Sequence, residues 1–114
     1  MGSLEEHNSM LDDLYSRLNT CDYLKNYKFI KELEYLDTSY DYRRVVGEFD
    51  ICGVPDREDY LVYLEVKSSY KQVGKGRKQI MTAKEFWGDV YDIDVYGRLV
   101  LPDYDFDSIV RFLS

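Results

Sequence analysis

The chain has 114 residues, 45% hydrophobic and 32% charged, and its 22 acidic against 15 basic residues give a net charge of -7. That length suits one domain of two packed layers, able to bury roughly 60 to 70% of its unfolded surface. Its acidic balance argues against a protein that coats itself in nucleic acid. Two cysteines outside any CxxC pair and a single histidine, His7, argue against a disulfide scaffold, a Cys/His zinc site and a His-based triad. No apolar run is long enough to span a bilayer, and the start lacks a basic segment followed by an apolar stretch. The sequence thus predicts a soluble, cytoplasmic protein without membrane contact.

Leu4, Leu11, Leu14 and Leu18 recur at helical spacing, with Ser3 as N-cap and Glu6 completing a capping box. From Tyr27 to Leu36, Phe29, Leu33, Tyr35 and Leu36 alternate with charged residues; helix and strand compete there, and strand is preferred. Asp37 to Asp41 is a turn signal. Arg43 to Val54 reads as a strand, and Tyr60 to Ser69 as the most strand-like run in the chain, with Gly53 to Asp59 as punctuation between two arms of an antiparallel hairpin. The basic, glycine-containing stretch Lys71 to Lys75 leads into a helix from Gly76 to Val90, on which Ile80, Ala83, Phe86, Trp87 and Val90 recur. A short strand from Val95 to Leu101 ends at Pro102, and a helical turn closes the chain around Ile109 to Leu113. The order helix, strand, strand, strand, helix, strand defines a single α/β domain, a mixed sheet flanked by helices.

Charge is unevenly distributed. Lys67, Lys71, Lys75, Arg77, Lys78 and Lys84 fall in a stretch, 66–84, without Asp or Glu. Such a run is either a solvated face or a phosphate-holding surface. Its position directly after Lys67 weighs against the first without deciding between them. Alternation along the strands puts Glu48 and Asp50 on one face with Phe49 and Ile51 on the other, and Glu65 with Lys67 opposite Leu64 and Val66. If the strands pair in that alignment, three carboxylates and an ammonium converge at the end of an apolar hairpin. Carboxylates held that close repel unless a cation neutralises them. Mg²⁺, or Mn²⁺ in its place, is the natural neutraliser, because it takes one or two carboxylates, waters and phosphate oxygens. It can then stabilise charge at phosphorus and acidify water.

Gly47-Glu48-Phe49-Asp50-Ile51 followed by Leu64-Glu65-Val66-Lys67 resembles the core motif of the PD-(D/E)XK nuclease superfamily. The likeness is to its GE(I/V/F)D…(V/L)EVK forms, found among archaeal Holliday-junction resolvases, Mrr-type restriction nucleases and RecB-type nucleases. It covers about Arg43 to Trp87. It implies a restriction-endonuclease-like αβββαβ core and a metal-dependent DNA nuclease. Asp50 and Glu65 are then metal ligands, the Val66 carbonyl is a further ligand, and Lys67 orients the attacking water. Glu48 is either an auxiliary ligand or a solvated strand-end carboxylate. Gln79, 12 residues beyond Lys67, matches the helix Gln of RecB-type members, although Ala83 stands where those carry Tyr. Glu6 is the candidate for the acidic residue that many members bring from the first helix, with its capping role as the competing reading. Lys71, Lys75, Arg77 and Lys78, extended by Arg43 and Arg44, are the candidate DNA contacts. The resemblance further suggests a homodimer, and small nucleases of this kind are similar to ones in viruses and prokaryotic mobile elements, which would place the protein in a host cytoplasm. A catalytically silent module binding nucleic acid or a partner on the same fold is the alternative.

Overall fold

A computed structural model describes residues 3–38, 44–57 and 59–114, with the side chain of Ser3 excluded. The chain runs α1 (Ser3–Asn19), a 3-10 turn (Asp22–Leu24), β1 (Tyr27–Asp37), β2 (Arg44–Pro55), β3 (Tyr60–Val66), a second 3-10 turn (Tyr70–Gln72), α2 (Val73–Tyr91), β4 (Asp94–Val100) and α3 (Phe106–Leu113). The four strands form one sheet in sequence order. β1–β2 and β2–β3 are antiparallel, and β3–β4, joined through α2, is parallel. The expected α/β domain with a mixed sheet between helices is therefore present, and the final turn is a full helix. No described helix is long and apolar enough to cross a membrane.

Each sheet face carries its own core. Leu11, Leu14 and Leu18 of α1 pack with Ile109 and Leu113 of α3 on Phe29, Ile51, Val62, Leu64 and Val66. On the opposite face Ala83 of α2 packs with Tyr35, Phe49, Cys52, Tyr63 and Val95, with Phe86 and Trp87 at the margin. Spacing of i, i+3, i+7 puts the three leucines of α1 on one stripe. Leu4, expected on that stripe, is 72% exposed. The proposed cap at Ser3 lies outside the described side chains. Cys21 and Cys52 are both free thiols, and burial pushes the Cys52 thiol up to about 12.

Two boundaries move. β3 ends at Val66, so Lys67 stands just beyond the strand, with its amide donating to the Val100 carbonyl at 2.9 Å. The basic stretch is wound rather than looped: the Ser69 hydroxyl accepts from the Lys71 amide at 3.2 Å, and α2 starts at Val73, three residues before the expected Gly76. Lysine and glutamine are good helix formers, and the first turn tolerates Gly74.

Strand alternation departs from expectation where it matters most. The β1–β2 ladder runs from Tyr27↔Pro55 to Asp37↔Arg44, with a register shift between Tyr35 and Leu36 and without the 32↔50 pair. Glu32 has φ +56°, in the left-handed region. Phe29 and Ile51 pack towards α1, and Lys31 reaches Asp12 of α1 at 2.9 Å. Leu33 and Phe49 pack towards α2. Phe49 and Ile51 thus face opposite sides, contrary to the regular period of two, because both strands turn over at this position.

Candidate active site

β2–β3 pairing stops at Ile51↔Leu64. Just past it, a side chain replaces the ladder: Asp50 Oδ2 accepts from the Val66 amide at 2.8 Å. The turn-over of β2 frees Asp50 to do this. Residues in a strand direct their N–H and C=O to the same side, so the Val66 carbonyl faces the same gap.

Glu65 and Lys67 sit beside that gap, with only 1% and 8% of their surface exposed. Lys67 Nζ is 3.0 Å from Glu65 Oε2, and the Tyr63 hydroxyl donates to Glu65 Oε1. The same hydroxyl lies 3.3 Å from the Glu48 carbonyl. Burial first, then the charge of Asp50, pushes the Glu65 carboxyl up to about 7, while Tyr63 and Lys67 pull against it. Burial and the Glu65 charge likewise raise the Tyr63 phenol. Buried ions require partners of good geometry, and Gly76 helps supply them. A Cβ there would displace the Leu99 side chain and come within 3.3 Å of Lys67 Cγ, so glycine lets α2 lie close to the lysine stem without either side chain giving way.

Asp50, Glu65, Val66 and Lys67, named from the sequence, are brought together. Glu48 stays exposed, its carboxyl raised by desolvation and by Asp50. It lines a cavity of about 220 Å³ with Gln79, Lys75 and Lys78 of α2 and Tyr35 of β1. Gln79 Oε1 is buried there without a hydrogen-bond partner among the described residues. Glu6 is exposed and lines a different hollow with Glu5, Met10 and Pro102.

The residue that α1 delivers to the site is His7, whose Nε2 is 3.3 Å from Asp50 Oδ2. The signal was available: positions 7, 11, 14 and 18 share the stripe that packs on the sheet.

The basic set does not form one surface. Lys75 and Lys78 flank the Gln79 cavity, spaced with it at i, i+3, i+4. Arg77 faces the β4 side with Ile80, Met81 and Leu99. Lys71 is exposed on the 3-10 turn. Arg44 is exposed at the start of β2, six residues or about 20 Å of strand from Asp50. Arg43 lies outside the described residues.

Among the described residues no three His, Cys, Asp or Glu side chains are gathered as a ready metal cage. The donors facing the gap are two carboxylates and a peptide carbonyl. All three are hard oxygen ligands of the kind Mg²⁺ and Mn²⁺ take, with water completing the shell. Comparison of the chain with family models, curated proteins and solved structures returned no match.

Proposed function

We propose that the chain is a Mg²⁺- or Mn²⁺-dependent DNA nuclease of the PD-(D/E)XK type, hydrolysing phosphodiester bonds at the gap between β2 and β3. The observation that carries the proposal is the buried Glu65–Lys67 pair beside Asp50 at the point where the two strands part. An ion pair at this depth contributes little net stability, because desolvation offsets attraction. A reacting phosphate explains why both groups are held there. Asp50, Glu65 and the Val66 carbonyl would hold the ion. When bound, the ion supplies charge stabilisation at phosphorus and acidifies water. Lys67 then orients the attacking water or a phosphate oxygen through its ammonium. Tyr63 fixes the rotamer of Glu65, and Lys75 and Lys78 hold flanking phosphates by charge.

Wild type should cleave at least one of labelled single-stranded, duplex, flap or four-way-junction DNA at low salt with Mg²⁺ or Mn²⁺. Asp50→Asn, Glu65→Gln and Lys67→Ala should each lose about a hundred- to a thousandfold. Full activity in all three variants would refute the assignment.

One observation favours a second reading, a catalytically silent module that grips nucleic acid or a partner. Glu65 is already satisfied by Tyr63 and Lys67, and Asp50 by Val66 and His7, without an ion. Salt-sensitive DNA binding with no cleavage under either metal would select that reading.

A further inference from the structure

The sheet has two edges of opposite character. β1 exposes Lys28, Lys31, Glu32 and Glu34, the charges that discourage strand addition. β4 carries only two charges, Asp94 and Arg98, of opposite sign, and among the described residues it has no partner on its outer side. The Lys67 amide bonds the Val100 carbonyl, so the backbone groups of Val100 face β3. By alternation those of Val95, Gly97 and Leu99 face outward. Apolar surface flanks this open edge on both sheet faces. On the α2 side, Met81 is 57% exposed beside Ile80 and Leu99. On the α3 side, Tyr96 is 51% exposed beside Phe112 and Tyr60.

We infer that β4 pairs antiparallel with β4 of a second copy, centred on Tyr96, joining two sheets into one of eight strands. Charge selects a second copy over an unrelated strand. About a dyad at Tyr96, Asp94 of each chain falls directly opposite Arg98 of the other, giving two opposite-charge cross-strand pairs. Asp94 is exposed and has no other partner among the described residues. Arg98, tied to the Ser108 carbonyl at 3.0 Å and set over the Phe112 ring, is held on the same face. In this register Val95 and Gly97 oppose each other and exchange outward backbone hydrogen bonds twice. Tyr96 meets Tyr96 of the second copy at the close-approach position. The dyad stands perpendicular to the sheet, so both candidate active sites open on one face. The ~4.8 Å strand spacing and ~3.3 Å rise put them roughly 30 Å apart. This inference goes beyond the nuclease reading and needs neither metal nor nucleic acid.

Sedimentation velocity should give wild type twice the 13.6 kDa chain mass. Tyr96→Lys, which sets two ammonium groups face to face, and Asp94→Arg should each weaken self-association by roughly tenfold or more with unchanged circular dichroism. Tyr96→Cys should cross-link the two copies on mild oxidation, under conditions where wild type, with Cys21 and Cys52, does not. A wild type that sediments as a single chain overturns the inference. So does a dimer that survives both charge substitutions, or a Tyr96→Cys variant that dimerises without cross-linking. None of these results bears on Asp50 and Glu65, whose test is cleavage and metal binding.

Discussion

Ionisation of Glu65 provides a direct handle on the candidate site. Its carboxyl is ordinarily near 4.5 and is pushed up to about 7 in the fold, by burial first and by the negative charge of Asp50 second. The folded chain therefore binds this proton more tightly than the unfolded chain does. Its stabilising contribution is fully present below about pH 4.5 and is lost as the pH rises through 7. The interval from 4.5 to 7 corresponds to about 3 kcal/mol, of which about 2 to 3 kcal/mol falls between pH 5 and pH 8. At about 2.1 cal/mol/K of unfolding entropy per residue, wild type in EDTA should melt roughly 10 °C lower at pH 8 than at pH 5. Glu65→Gln removes the titrating group and leaves Lys67 buried without its partner. That variant should be less stable throughout, and without the carboxyl the fall in stability between pH 5 and pH 8 should vanish. Repeating the scan in a His7→Gln background, which removes the imidazole beside Asp50, should leave the fall in place. The reasoning fails if Glu65→Gln keeps the wild-type fall in melting temperature, or if wild type itself is flat from pH 5 to pH 8.

Mg²⁺ or Mn²⁺ at a hundred times its dissociation constant should raise wild-type stability by about 2.7 kcal/mol at pH 8; the rise should shrink in Asp50→Asn, and an equal rise in both proteins would move the ion elsewhere. Gly76→Ala should cost about 1 to 3 kcal/mol in a denaturant titration, since its Cβ meets Leu99 and the Lys67 stem. It should also reduce cleavage by displacing the ammonium, so a neutral result in both measurements would mean that α2 does not set the position of Lys67.

Order and type of the elements were legible because the signals are local. Leucine spacing marks α1, β-branched and aromatic runs mark β2 and β3, and the apolar face of 80–90 marks α2. The grouping of Asp50, Glu65 and Lys67 was equally readable, since each lies in or beside a strand whose partner was evident. What sequence could not supply is the turn-over at residues 32 and 50. A left-handed Glu32 carries no sequence signal, as glycine or asparagine would, and regular alternation then assigns Phe49 and Ile51 to one face. Helical spacing places His7 on the stripe of α1 that packs on the sheet, but its partner Asp50 lies 43 residues away and is brought to it only when α1 docks. The division of the basic residues followed from where α2 begins. Starting at Val73 turns Lys75 and Lys78 to one side and Arg77 to the other.

The turn-over at Glu32 and Asp50 leaves the two carboxylates suspended from different layers of the molecule. Asp50 touches α1 through His7, while Glu65 is braced from the α2 face by Tyr63, with Lys67 resting under Gly76. No ladder hydrogen bond ties one carboxylate-bearing residue to the other, because strand pairing has ended by then. The gap between them is therefore a readout of how the two helical layers sit relative to each other. A rotation of α1 over the sheet acts on Asp50 through His7 and has no direct hold on Glu65, while the Val66 amide keeps Asp50 tied to β3. Anything that clamps α1 against the sheet tunes the bite of the site without touching a residue in it.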